Sequence, residues 1–243
     1  MAIICRDHRL LFIQTPRTGC TAIEQLLKDR FGGEQLPAEN VCDADGYIKV
    51  PSKHCTVQQL LDHGVISAAD ASKLLVFAGV RNPFDSLVSL YVKKGQGYQH
   101  ELADPDSWVH KVRGYVDEME YCRTHSFDEW IEKHYKVSWM DRVLGRGQRE
   151  LYGRYTRGAN RVIRFERLQQ DFESVMREAG VKGDVSIPRV NPTVHRGPNY
   201  QSYYAPSSRK LVEYVFRPDV ERYGYTFDGL DETHTPARQV VAS

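Results

Sequence analysis

The 243-residue chain has no long apolar run, no surplus of either charge and few cysteines. No stretch approaches the roughly 20 apolar residues that a membrane-spanning helix needs. Met1 to Arg9 lacks the apolar core of a secretory leader. Lys and Arg total 33 against 32 acids, with no polybasic run, which argues against DNA, RNA or an anionic membrane as partner. The five cysteines (Cys5, Cys20, Cys42, Cys55, Cys122) are odd in number and no two form a C-x-x-C pair. A disulfide framework and a zinc site are therefore not expected, and a soluble protein of the reducing cytoplasm is. No G-x-x-x-x-G-K-[ST] string occurs, so an ATP-type phosphate loop is excluded too.

What is present is organised around Leu10 to Phe31, LLFIQTPRTGCTAIEQLLKDRF. Leu10 to Gln14 is an apolar run of strand length, and Thr15 to Thr21 supplies turn and hydroxyl residues. From Ile23 onward Leu26, Leu27 and Phe31 recur at helical spacing, so a strand passes through a tight loop into a helix. Such a loop aims backbone N–H groups and the positive end of a helix dipole at one spot, which suits an anion. Gly19 lets the backbone approach a ligand closely, Thr18 and Thr21 offer hydroxyls, and Arg17 offers a cationic fork.

A second signal lies in Leu74 to Lys94, LLVFAGVRNPFDSLVSLYVKK. Leu75 to Val80 reads as a strand buried on both faces of a parallel sheet. Asn82 suits a helix N-cap and Pro83 the first helical position. Phe84, Leu87, Val88 and Tyr91 mark the buried face of that helix. Arg81 stands at the strand's carboxyl end, where open α/β sheets bind ligands, and Ser89 lies about a turn and a half along the helix.

T-P-R-T-G-C-T resembles the 5′-phosphosulfate loop, P-[KR]-[ST]-G-[STC]-[ST], of sulfotransferases that use 3′-phosphoadenosine 5′-phosphosulfate (PAPS). R-N-P-x-D-x-x-x-S-x-Y resembles the 3′-phosphate motif of the same family, and the two occur in the family's order. The resemblance covers most of Leu10 to Phe227. It implies an α/β fold with a central parallel sheet flanked by helices, P-loop-like, with an aromatic-rich helical insertion. The expected layout is one domain over residues 1–228 and a tail over 229–243.

By the same resemblance Arg17, Thr18, Gly19, Cys20, Thr21 and Ala22 would hold the 5′-phosphosulfate, and Arg81 with Ser89 the 3′-phosphate. A late loop closes over the nucleotide in the family, and Arg196-Gly197, beside His195, loosely matches it. His54 lies in a K-H-x-T string ahead of the second motif, where related sulfotransferases place a candidate base; a local capping role is the alternative. Glu24, one turn into the first helix, is the rival base, and dipole complementation is its alternative. Many relatives have Lys where Arg17 stands, and Arg cannot release a proton near neutral pH.

All three tryptophans (Trp108, Trp130, Trp139) fall between Val92 and Tyr155, in helical segments that read either as an acceptor pocket or as core. Gly32 to Lys49 reads as a loop, Gly145 to Gly158 as a basic loop, and Pro206 to Tyr223 as a final helix. The expected activity is transfer of a sulfuryl group from PAPS, leaving PAP, to a hydroxyl or less readily an amine of a small molecule or carbohydrate. A protein base would assist in-line transfer, with no metal. The alternatives are a non-catalytic PAP-binding module and a nucleotide-dependent kinase of related fold.

Overall fold

The structure, a computed structural model, describes residues 2–188, 199–231 and 233. In chain order its elements are β1 (Ala2–Cys5), β2 (Leu10–Ile13), α1 (Cys20–Arg30), β3 (Glu34–Leu36), β4 (Val41–Cys42), β5 (Ile48–Val50), α2 (Val57–Asp62), α3 (Ala68–Ala71), β6 (Leu75–Val80) and α4 (Pro83–Val92). There follow α5 (Gln99–Ala103), α6 (Tyr115–Thr124), α7 (Phe127–Tyr135), α8 (Trp139–Val143), α9 (Gly153–Thr156), β7 (Arg161–Arg164), α10 (Leu168–Glu178), α11 (Pro206–Val215) and α12 (Arg217–Tyr223). A short hairpin, β8 (Tyr225–Thr226) and β9 (Gly229–Leu230), completes the described chain. Residues 2–81 with 152–188 form one compact unit, and residues 82–151 with 199–231 form a second.

The first unit is built on a five-stranded sheet of order β3-β1-β2-β6-β7. β2, β6 and β7 run parallel, whereas β1 is antiparallel to both β2 and β3, so only β1 opposes the rest. Arg9, in the left-handed region at φ 51°, turns the chain from β1 into β2, and its N–H donates to the Arg6 carbonyl. Every side chain of Leu10–Ile13 is fully buried, which continuous aliphatic strands covered on both faces require. Phe12, Phe77 and Ile163 meet Ile23, Leu26 and Leu27 of α1 and Phe172, Val175 and Met176 of α10 on one face. Leu11, Ile13, Val76 and Ala78 meet Val57 and Leu60 of α2 on the other. Burying each of these side chains except the small Ala78 stabilises the unit by about 1.5–3 kcal/mol.

The second unit is helical. Phe84, Leu87, Val88 and Val92 of α4 pack with Phe127, Trp130 and Ile131 of α7 and Leu211, Val212 and Val215 of α11. Asn82 caps α4 by accepting from the Phe84 N–H at 3.1 Å, and its Nδ2 donates to the Thr226 carbonyl at 2.7 Å. The three tryptophans part company: Trp130 is core, Trp108 is half-buried against Tyr98 and Tyr115, and Trp139 is 75% exposed. No described helix is long and apolar enough to cross a membrane.

The α/β fold with a mostly parallel sheet and flanking helices is the one the residue pattern predicts. Three local readings are corrected. Gly32 to Lys49 is not all loop, because Glu34–Leu36 adds a sheet edge through β1; an edge strand with two polar residues shows no apolar alternation. Pro206 to Tyr223 is two helices joined at Phe216, where Pro218 enters the first turn of the second and cannot continue the hydrogen-bond ladder of the first. Within the basic loop Gly145 to Gly158, residues Gly153–Thr156 form the one-turn helix α9.

Candidate active site

The strand–loop–helix of the first motif is built as its residues suggest. Past the end of β2, Gln14 and Thr15 remain buried, and the chain then turns with Arg17 at φ 64° and Gly19 at φ 75°. A positive φ is unstrained at glycine and costly at arginine, and such strain in an ordered loop marks a constrained site. The Thr18 hydroxyl, fully buried, donates to the Thr15 carbonyl at 2.9 Å and closes the turn from within. Thr18 therefore braces the loop with its side chain. Gly19 is the N-cap of the 11-residue α1 and supplies no side-chain cap, and within the first turn the Ala22 N–H donates to the Gly19 carbonyl at 3.1 Å. Cys20 and Ala22 are buried and Thr21 is half-exposed.

Two glycines let this loop sit where it does. A Cβ on Gly79 of β6 would stand 2.5 Å from Thr18 Oγ1, and one on Gly19 would stand 2.9 Å from Leu168 Cδ2. Close packing of loop, strand β6 and the start of α10 thus depends on the missing side chains.

The second motif meets the first directly. Arg81, just past β6 and 4% exposed, donates from Nη1 to the Arg17 carbonyl at 2.9 Å. Its guanidinium lies 4.2 Å from the centroid of the Phe165 ring, a cation–π contact. One buried arginine is thereby held by the turn of the first motif and by the residue after β7. Ser89, in α4 of the second unit, is fully buried. Arg196 and Gly197 lie outside the described residues.

His54 precedes α2, which Thr56 and Gln59 cap reciprocally at 3.1 and 3.0 Å. The imidazole is turned away from that cap, with Nδ1 2.9 Å from the main-chain oxygen of Gln14. His54 itself has φ 66°, a second non-glycine residue held in the left-handed region beside the loop. Burial pushes its pKa down to about 3, and the charges of Lys53 and Arg17 push the same way against the Gln14 hydrogen bond. The ring is neutral and donates from Nδ1, which leaves Nε2 as an acceptor.

Glu24 is engaged on both oxygens. Oε2 accepts from Gln14 Nε2 at 2.9 Å and Oε1 from Lys28 Nζ at 2.7 Å. Burial raises its pKa, but the hydrogen bonds from Lys28 and Gln14 outweigh that and hold the carboxyl below its usual range. Cys20 is buried and its thiol pKa is raised by that burial, so it is packing and not a thiolate.

Gln14 is the residue that sequence reasoning missed. Its carbonyl holds His54 and its amide holds Glu24, and its Oε1, like Thr15 Oγ1, is buried without a hydrogen-bond partner among the described residues. The available signal was a glutamine closing an apolar strand, since a polar side chain at such a strand end needs a reason to be there. The groups that suit an anion here are Arg17 on the turn, Arg81 bonded to it from the end of β6, the start of α1 and the buried Thr15 hydroxyl, whereas Gln14 Oε1 is an acceptor and does not.

Comparison with known proteins gives the family. A family model described as "Sulfotransferase family" matches residues 1–226. The chain is 24% identical over 250 aligned positions to carbohydrate sulfotransferase 10 of Xenopus laevis, an alignment that takes in 90% of this chain and 65% of that protein. It thus spans about two thirds of the length of that relative. No solved structure matches. With a family model matching nearly its whole length, the chain belongs to the sulfotransferase family.

Proposed function

We propose that this protein transfers a sulfuryl group from PAPS to a hydroxyl of a carbohydrate or similar small acceptor. The observation that carries the reading is the 2.9 Å bond from Arg81 to the Arg17 carbonyl, which joins the two nucleotide motifs at one place. PAPS, when bound, supplies a sulfuryl group on a phosphate leaving group, and transfer breaks that S–O bond as one to the acceptor oxygen forms. Arg17 and the first-turn N–H groups of α1 offset the negative charge that develops on the departing phosphate. Arg17 does so by charge alone, because a guanidinium does not give up its proton near neutral pH. Arg81 fixes the backbone of the turn and brings the second positive charge. Ser89 is carried over from the motif as a further 3′-phosphate ligand. His54 Nε2 takes the acceptor's proton: the Gln14 carbonyl keeps the ring in the tautomer that can do so, and the negative charge of bound PAPS offsets the Arg17 and Lys53 charges that, with burial, hold the pKa at about 3 in the empty site.

The carbohydrate acceptor is supported by the name of the Xenopus laevis relative. The test is a sulfate-transfer assay over a panel of sugars, phenols and amines, run with wild type and His54→Ala. Turnover on a hydroxyl acceptor that falls about 10²–10⁴-fold in His54→Ala is expected. Nucleotide binding without turnover on any acceptor would assign a binding module, and magnesium-dependent ATP binding would assign a kinase.

A further inference from the structure

A different part of the molecule exposes its large apolar side chains together. The large apolar side chains that stand exposed among the described residues are Trp139 (75%), Met140 (66%), Val143 (66%) and Leu144 (61%). They are not scattered. At 100° per residue these positions span an arc of roughly 140° on α8 and the residue that ends it, with Asp141 and Arg142 on the remaining side. Scattered single apolar residues are ordinary on a surface, whereas a contiguous set marks an interaction site.

The element is fixed in place. Ser138 caps it, accepting from the Asp141 N–H at 3.0 Å, and the Tyr214 hydroxyl donates to the Arg146 carbonyl at 2.7 Å. Gly147 lets the chain close on Val137, where a Cβ would come within 2.7 Å. The apolar arc is therefore presented by a built turn.

The charge around it is positive. Residues 133–151 carry five Lys or Arg and two acids, in a chain whose total is only +1, and although Lys133 pairs with Glu118 at 3.9 Å, Lys136, Arg142, Arg146 and Arg149 still outnumber the two acids. Both acids are engaged: Asp141 Oδ2 accepts from the Ser138 hydroxyl at 2.6 Å, and Glu150 pairs with Arg222 at 2.9 Å. Arg142 and Arg217 lie 5.6 and 5.7 Å from the Tyr214 ring, one on the patch and one beside it. The near-zero net charge of the whole sequence conceals this local surplus.

We infer that α8 docks this protein onto an anionic lipid surface, its Trp139, Met140, Val143 and Leu144 entering the headgroup boundary while Arg142 and Arg146 meet acidic lipids. The four side chains expose roughly 500 Å², less than the about 800 Å² per partner of a stable protein complex. An isologous contact with a second copy would also bring two sets of Arg142 and Arg146 into one interface without added acids. A bilayer interface has neither difficulty: it takes shallow insertion of Trp and Leu, and each nearby cation strengthens binding about fivefold. This inference does not depend on the reaction proposed above.

The test is flotation of the full chain with vesicles of phosphatidylcholine containing about one third phosphatidylserine, against phosphatidylcholine alone. Binding to the anionic vesicles, at least about tenfold weaker to neutral ones and weakened by salt, is the expected result. Trp139→Ala with Leu144→Ala, and separately Arg142→Gln with Arg146→Gln, should each lower partitioning about tenfold or more. Melting temperature and nucleotide affinity should stay as in wild type, since these side chains are exposed and remote in sequence from the nucleotide motifs. Absence of binding to either vesicle, or binding equal in the variants, overturns the inference. So does concentration-dependent self-association that the apolar variants abolish, which would give the surface to a second copy.

Discussion

The Nδ1 of His54 lies 2.9 Å from the carbonyl oxygen of Gln14, forty residues earlier in the chain. A carbonyl only accepts, so the bond fixes the proton on Nδ1 and leaves Nε2 with its lone pair. The same Gln14 clamps Glu24 through its side-chain amide. One glutamine at the end of β2 thus separates the two candidate bases, presenting a neutral imidazole and tying up the carboxylate.

His54 should titrate far below a free histidine. Burial pushes its pKa to about 3, against 6.5 for the unperturbed side chain. Between those values the unfolded chain binds a proton that the folded chain refuses. The stability His54 contributes is therefore complete above about pH 6.5 and is lost as pH falls toward 3. A ¹⁵N-edited titration should show the Nδ1–H tautomer across the neutral range, and the slope of melting temperature against pH below 6.5 should flatten in His54→Ala.

Removing the proposed base and removing its rival should give different kinetic signatures. His54→Ala is expected to lower kcat strongly with spent-nucleotide affinity unchanged within about threefold. Glu24→Ala should cost about 1 kcal/mol of stability, from the lost Gln14 and Lys28 hydrogen bonds, and less than about tenfold in kcat. Steady-state kinetics with direct binding distinguishes them; a collapse of turnover in Glu24→Ala with His54→Ala tolerated would reverse the assignment.

Gly79→Ala should damage the loop from behind. Its Cβ would sit 2.5 Å from Thr18 Oγ1, so the turn must shift, at a cost of about 1–3 kcal/mol in stability. Thr18→Ala removes the clashing oxygen together with its bond to Thr15. The double variant should therefore be less destabilised than the two single effects added, which a double-mutant cycle by chemical denaturation measures.

Arg81→Lys should behave as a loss and not as a conservative change. The guanidinium both donates to the Arg17 carbonyl and lies over the Phe165 ring, and a single ammonium cannot reproduce that planar pair of contacts. Nucleotide affinity should fall at least about tenfold, about 1.4 kcal/mol, read by calorimetry.

Much of this was legible before any coordinates. The apolar runs at Leu10 to Gln14 and Leu75 to Val80 and the Asn82 cap follow local rules; the second strand and the cap stand as their residues suggest, and the first ends one residue early, at Ile13. Relations across the chain were not legible. Nothing local in R-T-G says that Arg17 would offer its carbonyl to Arg81, or that Gly79 leaves room for Thr18. Glu34–Leu36 escaped because an edge strand needs only a backbone partner, which β1 provides. Gln14 escaped because its role is to hold two residues that lie apart in sequence.

The most direct test of the central claim is calorimetric titration of adenosine 3′,5′-bisphosphate into wild type, Arg17→Ala and Arg81→Ala, all with a metal chelator present. The account predicts one site on the wild type that survives the chelator and weakens by at least about tenfold in each variant. Binding that vanishes with the chelator, or that both arginine variants retain undiminished, would contradict it.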